Sequence, residues 1–396
     1  MQIESIHLKN FKAYKDIKIT NIPRFCVFIG ANGTGKSTFF DVFGFLKDCL
    51  TYNVSTALRS RGGFNEVVTR GANGESIYIE IQYRMRITEK DRLVTYSLEI
   101  VSEGSKVCVK REILRYKRGQ HGSPFHFLDF ANGEGKAVTN EEDFTKTDEE
   151  LHKEEQTLGS KDILAVKGLG QFERFKAAAA LRDLIENWHV SDFHINMARG
   201  AKEAAGDGNH LSSTGDNLQL VAKTLHDEHP EIFERILLKM RSRVPGIADI
   251  KTEDTPDGRL LLKFNDGAFK EPFIDKFVSD GTIKMFAYLV LLYDPSPHPF
   301  LCIEEPENQL YPSLLEELAE EFREYANRGG QVFVSTHSPD FLNATELSEV
   351  FWLEKKNGLT IVKRASDDPQ IAAYMNDGDK MGYLWKEGLF EGADPQ

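Results

Sequence analysis

Eight residues near the N-terminus have the composition of a loop that binds phosphate: Gly30-Ala31-Asn32-Gly33-Thr34-Gly35-Lys36-Ser37. The glycines allow backbone conformations in which successive N–H groups converge on phosphate oxygens, a path that a Cβ would obstruct. Lys36 supplies a positive charge to these oxygens and Ser37 offers a hydroxyl to Mg²⁺, while a helix predicted from about Thr38 points its positive end at them. The loop follows an apolar run at 24–29, as a strand before such a loop should. We therefore expect ATP or GTP to bind at Gly30, Asn32, Gly33, Gly35, Lys36, Ser37 and Thr38.

Two adjacent carboxylates, Glu304 and Glu305, follow a second apolar run at 299–303. Neighbouring side chains of a strand point to opposite faces, so the two groups can serve different partners at one strand end. We expect Glu304 to join Ser37 in the shell of Mg²⁺ and Glu305 to polarise the attacking water. The alternative is a solvated acidic turn after a core strand, which the phosphate loop upstream disfavours.

A third apolar run, at 330–335, leads to His337. A histidine beside the terminal phosphate can donate a hydrogen bond to it and orient the water, although a histidine after a strand is often only structural. Between the two runs, Pro312 opens and Gly329-Gly330 closes an amphipathic helix. Strand, helix and strand predict a βαβ unit with both functional groups at the carboxyl ends of parallel strands. The glutamates expected on the exposed face of this helix are Glu316, Glu317, Glu320, Glu321 and Glu324.

The motifs together carry a family resemblance. The order of four motifs resembles that in the ABC-type ATPase heads of the RecF and SMC class. The motifs are the phosphate loop, Ser279-Asp280-Gly281 before an apolar helix at 283–292, the Glu304-Glu305 pair and His337. Stand-alone bacterial AAA-family ATPases related to the overcoming-lysogenisation-defect proteins look most similar. The resemblance implies that Ser279, Asp280 and Gly281 form a signature loop that contacts the γ-phosphate held by a second subunit, so that two heads dimerise around ATP. By itself, the same segment also fits an Asp-Gly turn before a core helix.

Two departures from the family pattern concern the signature and the Q-loop. Asp280 stands where transporter heads usually have glycine. The only Q-loop candidate is Gln171, which equally fits the first turn of a helix.

The resemblance and the composition imply one α/β domain of the P-loop NTPase type over residues 1–396, although this length also permits two domains. Alternating runs predict an antiparallel β side lobe, and helical periodicity predicts a helical insert. The expected segments are the N-terminal strands and phosphate loop (1–75), the side lobe (76–135), the helical insert (160–245), and the signature, carboxylates, histidine and C-terminal region (246–396). The acidic run at 141–156 is expected to be an exposed linker.

Four widely spaced cysteines and the absence of a secretory signal or an apolar run of membrane length indicate a cytoplasmic protein without disulfides or a membrane partner. The net charge of −13 disfavours general adhesion to nucleic acid. Two basic groups remain as possible DNA contacts, or as solvated faces: Lys106, Lys110, Arg111, Arg115, Lys117 and Arg118, and then Lys239, Arg241 and Arg243.

Two functions follow from these observations. In one, ATP binding and hydrolysis switch a dimer that acts on DNA, in repair or in antiviral defence. In the other, a regulatory ATPase controls a separate nuclease or toxin, because the chain ends too soon after His337 for the Toprim nuclease domain that related proteins carry. A transporter subunit fits less well, because the opening strand, side lobe and signature differ from those of transporter heads.

Overall fold

The computed structural model describes residues 1–72, 74–87, 90–104, 106–117, 123–139, 150–203, 206 and 208–393. The strands in these ranges are β1 (Gln2–Phe11), β2 (Tyr14–Thr20), β3 (Phe25–Ile29), β4 (Ile77–Ile87), β5 (Lys90–Glu103), β6 (Lys106–Tyr116), β7 (Phe125–Ala131), β8 (Glu134–Val138), β9 (Lys153–Thr157), β10 (Trp188–Val190), β11 (Lys202–Glu203), β12 (Ile247–Asp254), β13 (Arg259–Asp266), β14 (Phe273–Ile274), β15 (Phe300–Glu304), β16 (Val332–Ser335), β17 (Val350–Lys356) and β18 (Leu359–Arg364). The α-helices are α1 (Lys36–Thr51), α2 (Val54–Arg59), α3 (Phe64–Val67), α4 (Ala165–Leu169), α5 (Lys176–Glu186), α6 (Ile195–Ala198), α7 (Leu218–Glu228), α8 (Pro230–Arg243), α9 (Asp280–Leu292), α10 (Ser313–Asn327), α11 (Pro339–Leu342), α12 (Pro369–Asn376) and α13 (Met381–Lys386).

A central six-stranded sheet has the order β10-β15-β16-β3-β17-β18. Its first five strands are parallel and β18 is antiparallel to β17. Glu304 of β15 is paired with Ser335 of β16, which is paired with Phe28 of β3. The carboxyl ends of three neighbouring strands therefore lie at one edge of the sheet, as the βαβ prediction requires, and this is where open parallel sheets bind ligands.

Both faces of the central sheet are buried, and β3 shows how. Cys26 and Phe28 point into one core, while Phe25, Val27 and Ile29 point into the other. The first core contains α1, whose Phe39 packs 4.7 Å from Phe28 between ring centroids. The second core contains α9 and α10. A strand covered on both sides is apolar at every position, which explains the unbroken run that predicted it.

The predicted antiparallel strands join the N-terminal strands in one eight-stranded sheet of order β2-β1-β4-β5-β6-β7-β8-β9. The sheet thus crosses the boundary expected at 75/76 and continues past 135 to β9, because β1 pairs with β4 and β8 pairs with β9. The end of the acidic run at 141–156 is accordingly a strand rather than a linker. Residues 141–149 and Arg118 lie outside the described residues.

The region expected to be a helical insert contains α4 to α8, and it also supplies β10 to the central sheet and β11 to a small sheet of β11, β13, β12 and β14. The fold class itself, an α/β head of the P-loop ABC type, is confirmed.

One detail of α10 differs from the prediction. Glu321 is 1% exposed, because Lys239 and Arg243 of α8 both form ion pairs with it.

Candidate functional site

The phosphate loop joins β3 to α1 in the conformation that its glycines allow. Gly35 is the N-cap of α1 and has φ 107°, in the left-handed region that glycine adopts without strain. A Cβ at this position would lie 2.7 Å from the Thr360 hydroxyl. Two side chains from distant strands hold the loop: the Tyr14 hydroxyl donates to the Gly35 carbonyl (2.8 Å) and the Thr360 hydroxyl donates to the Thr34 carbonyl (2.6 Å).

Lys36 is folded back over the loop that precedes it. Its Nζ donates to the carbonyl of Gly30 at 2.7 Å and to that of Ala31 at 3.3 Å, and the residue is 6% exposed. Burial lowers the pKa of this ammonium, and Glu305, Glu307 and Glu304 oppose that shift. The positive charge of Lys36 therefore interacts with the negative charges of the Glu304-Glu305 pair.

Glu304 ends β15 beside the start of α1, and the Ser37 hydroxyl forms a hydrogen bond with its carboxylate. Burial, followed by the charges of Glu305, Asp41 and Asp192, outweighs that hydrogen bond and raises the pKa of Glu304. A hydroxyl and a carboxylate in contact, with further acidic groups nearby, are the oxygen donors that Mg²⁺ prefers. The residues present thus fit the expected metal site.

Glu305 lies just beyond the strand in a strained conformation, with φ 44°. Its backbone N–H donates to the Ser335 carbonyl at 2.9 Å, and the Asn308 amide donates to its Oε2 at 2.9 Å. His337 Nε2 lies 3.6 Å from Oε1 of the same carboxylate. Burial and the Lys36 charge lower the pKa of His337, while Glu305 opposes them, so the imidazole is neutral at pH 7.

Two charged residues behind the carboxylate turn, the half-buried Glu307 and the buried Lys284, were missed from the sequence. Glu307 accepts a hydrogen bond from the His337 backbone N–H at 2.5 Å, and burial raises its pKa. Lys284 of α9 donates to the Asn308 carbonyl at 2.8 Å, and burial lowers its pKa to about 8. A single lysine in the otherwise apolar run 283–292 was the available signal, because such a charge needs a buried partner.

The signature-like segment forms the first turn of α9. Ser279 is the N-cap and its side chain accepts from the Thr282 N–H at 3.2 Å. Arg199 donates to the Val278 carbonyl (2.7 Å) and pairs with the Asp280 carboxylate, which accounts for an acid at this position. Ser279 and Gly281 line a groove of about 810 Å³ with Gln309 and Tyr311. Within the described residues, this groove includes no residue of the phosphate loop.

The Q-loop prediction for Gln171 gains no support. Gln171 is exposed and its amide donates to the Lys167 carbonyl at 3.4 Å, within its own turn. Asp192 lies just after β10, the strand that pairs with β15. Its charge helps to raise the pKa of Glu304. The structure thus brings Lys36, Ser37, Glu304, Glu305 and His337 together, while the chemical roles expected of these residues stay predictions.

Comparison with known proteins identifies the family. The family described as "AAA domain, putative AbiEii toxin, Type IV TA system" matches residues 25–343. The chain belongs to this family. The match contains the phosphate loop, the signature-like segment, the carboxylate pair and the histidine.

Relatives from the SMC class share the fold. The Smc head bound to the C-winged helix domain of ScpA has a TM-score of 0.54 at 15% identity, over 92% of this chain and 97% of that one. An Smc head with an extended coiled coil, bound to the C-terminal domain of ScpA derived from Pyrococcus furiosus, has a TM-score of 0.53 at 13% identity, over 94% and 99%.

A sequence relative comes from the same class. The chromosome partition protein Smc of Methanococcus voltae is 35% identical over 82 residues, which are 20% of this chain and 6% of that protein. The chain thus spans a small part of that relative.

Proposed function

We propose that this protein binds and hydrolyses Mg-ATP as a molecular switch whose heads dimerise around the nucleotide. The observation that carries the proposal is the convergence of Lys36, the Glu304-Glu305 pair and His337 at the ends of three neighbouring parallel strands. A lysine on the phosphates, a carboxylate at the metal and a second carboxylate at the water are the parts that phosphoryl transfer to water needs.

Each residue has a distinct part in this mechanism. Ser37 and Glu304 would hold Mg²⁺, which neutralises charge on the phosphates when bound. Lys36 would exchange its bonds to the Gly30 and Ala31 carbonyls for bonds to phosphate oxygens. Glu305 would accept a proton from the attacking water, with its carboxylate oriented by Asn308. The neutral His337 would donate to the terminal phosphate and hold the water in line.

The placement of the signature supports a shared site in a dimer. Ser279 and Gly281 line a groove that includes no described residue of the phosphate loop, so a second copy of the chain would bring its own signature to the nucleotide. Tyr311, which lines this groove, is 73% exposed. Phe277, two residues before Ser279, is 72% exposed. Exposed aromatic side chains are enriched at protein interfaces, where their burial stabilises association. Such an interface would be isologous.

The partner is better described as a protein effector than as DNA. The basic residues that might bind DNA mostly form ion pairs within the chain. Lys110, Arg111 and Arg115 pair with Glu99, Asp129 and Glu80, and the basic end of α8 pairs with Glu234, Glu317 and Glu321. Most described cations of these two groups are therefore neutralised within the chain and are less available to a phosphate backbone.

We propose that this effector is a nuclease or toxin that acts in bacterial defence against phage. The family description, which names a putative toxin and a TA system, supports the link to a toxin. The four cysteines are unpaired and buried, which agrees with a cytoplasmic site of action. No helix in the described ranges combines the length and the apolar character needed to cross a membrane.

Turnover and mass of the purified protein test the proposal. We expect ATP hydrolysis that Lys36→Ala abolishes and that the control Lys18→Ala, an exposed lysine of β2, leaves unchanged. ATP should double the mass measured by light scattering. DNA-stimulated turnover would favour the DNA switch, and co-purification of a neighbouring gene product would favour the effector. Wild-type ATP affinity in a folded Lys36→Ala protein would refute the assignment.

A further inference from the structure

A second group of chemically active side chains lies at the opposite end of β15 from the carboxylates. His298 comes just before β15, Asp294 follows α9, and His210 belongs to the loop before α7. One potential ligand atom from each of these residues lies within 4.8 Å of the other two. The residues are far apart in sequence and none of them takes part in the proposed ATP chemistry, so the cluster needs its own explanation.

His298 is held in one tautomer by a hydrogen bond of one ring nitrogen. Its Nδ1 lies 2.9 Å from the Asn187 carbonyl, which can only accept, so Nδ1 carries the hydrogen. Nε2 then has a free lone pair. This atom is buried, has no hydrogen-bond partner among the described residues, and belongs to a side chain that is itself buried at 9% exposure. An imidazole that donates to a carbonyl through one nitrogen is oriented to ligate a metal through the other.

Asp294 and His210 are equally fixed. His210 Nδ1 lies 2.7 Å from Asp294 Oδ2, and Asp294 Oδ1 accepts from the Ser296 N–H at 2.8 Å. The Asp294 side chain is 3% exposed. Asn217 donates to the His210 carbonyl at 2.8 Å, which fixes the backbone of the loop. A buried carboxylate with a single imidazole partner supplies the negative charge that would compensate a bound cation.

Burial lowers the pKa of His298 and of its neighbour His189. Burial above all, and then the other histidines and Lys47, lowers the pKa of His189, whose ring centroid is 5.1 Å from that of His298. Burial likewise lowers the pKa of His298. Lys47, the nearby cation, is turned to the Trp188 carbonyl, to which its Nζ donates at 2.6 Å.

We propose that His210, Asp294 and His298 bind a divalent transition-metal ion with the preferences of Zn²⁺. Two imidazoles and one carboxylate match the three-ligand zinc sites of proteins, with water in the fourth position. Nitrogen donors disfavour Mg²⁺, which would bind at the oxygen ligands Ser37 and Glu304 instead. Because zinc bonds to nitrogen are only about 2.0–2.1 Å long, the ligand atoms would have to rearrange around the ion, and the hydrogen bond between His210 and Asp294 would be exchanged for bonds to the metal.

The position of the site connects it to the nucleotide site. The loop that carries His210 continues to Ser213, whose carbonyl accepts from the Asp192 N–H at 2.9 Å, and to Thr214, whose carbonyl accepts from the His194 N–H at 3.2 Å. A metal that clamps His210 to the end of α9 would therefore stabilise the segment that places Asp192 near Glu304.

Zinc binding to the whole chain tests the proposal. Protein freed of metal with a chelator is titrated with Zn²⁺ in excess Mg²⁺, by calorimetry, and with Co²⁺, whose visible absorption reports tetrahedral coordination. We expect one equivalent to bind. His298→Ala and Asp294→Asn should each lower the affinity by at least about 10-fold. The control His226→Ala, an exposed histidine of α7, and Glu304→Gln should leave it unchanged.

If the His298→Ala protein does not fold, a variant of the half-buried His210 tests the metal site instead. His210→Ala should also lose affinity at least about 10-fold while its circular dichroism stays that of the wild type. Failure of the wild type to bind Zn²⁺ in a 1:1 ratio would overturn the proposal. So would wild-type affinity in a folded His210→Ala protein, or zinc affinity that falls in Glu304→Gln, which would assign the ion to the nucleotide site.

Discussion

The Nε2 atom of His337 lies 3.6 Å from Oε1 of Glu305, across the ends of two paired parallel strands. Glu305 is held there by the Ser335 carbonyl and by Asn308, and the His337 backbone is held by Glu307. The group expected to activate water and the group expected to sense the terminal phosphate are thus fixed relative to each other before nucleotide binds. Prearranged polar groups of this kind cost no reorganisation during reaction.

Replacing Glu305 by glutamine should separate binding from hydrolysis. The amide has nearly the same shape but cannot accept the water proton, so we expect turnover to fall by roughly 10²-fold or more with ATP affinity retained. Phosphate release and calorimetric ATP titration measure the two effects. Glu320→Gln, on the exposed face of α10, is the matched control. Wild-type turnover in Glu305→Gln would assign the base elsewhere.

The pH dependence of turnover should reflect the lowered pKa of His337. Burial and Lys36 disfavour the imidazolium, so the neutral form persists below 6.5, the ordinary pKa of histidine. We expect a plateau through neutral pH and a decline only below pH 6.5, when the ring is protonated and pairs with Glu305. His337→Asn should lower the plateau and remove this acid limb. An inflection above pH 6.5 that survives in His337→Asn would contradict the assignment.

The sequence predicted the elements that place the motifs, because each signal was local. Periodicity and capping residues located β3, β15 and β16 together with α1 and α10, and the parallel pairing of the strands brings Lys36, Glu304 and His337 to one edge. Glu321 was predicted wrongly as exposed. Its helical position is correct, but Lys239 and Arg243 come from α8, and a single sequence does not show which helices pack together.

Contacts between distant segments account for the rest of what was missed. Tyr14 and Thr360 hold the phosphate loop from strands that precede and follow it, and neither belongs to a recognisable motif. The pairing of β1 with β4 likewise merged two segments that composition had separated.

Lys284 should act as a positioning residue for the carboxylate turn. Lys284→Met keeps the apolar stem and removes the donor to the Asn308 carbonyl, so the turn that holds Glu305 should loosen. We expect kcat to fall several-fold with KM for ATP little changed. Thermal stability should change little, because the burial that lowers the pKa of this ammonium to about 8 also makes its removal inexpensive. Lys386→Met, on the exposed end of α13, is the control. An unchanged kcat in Lys284→Met would show that the hydrogen bond from Lys284 to the Asn308 carbonyl does not position Glu305 for hydrolysis.

Complementation between two inactive variants tests whether Ser279 acts on the nucleotide of its partner. Lys36→Ala removes the phosphate contact of its own subunit, and Ser279→Arg blocks the signature that its subunit presents to the other. Each variant alone should be inactive. In a mixed dimer, the intact phosphate loop of the Ser279→Arg subunit faces the intact signature of the Lys36→Ala subunit, so one complete site forms.

With random assortment, half of the dimers are mixed and each has one complete site of two, so a 1:1 mixture should recover about a quarter of wild-type turnover. The recovered turnover per subunit should fall on dilution, because it depends on association. The control mixes Lys36→Ala with Glu305→Gln. Both substitutions inactivate the phosphate-loop half of a site, so this mixed dimer has no complete site and should recover nothing. The mixture of Lys36→Ala and Ser279→Arg could also stay inactive although light scattering with ATP shows dimers. In that case Ser279-Asp280-Gly281 would have no role at the nucleotide and would serve only as the first turn of α9.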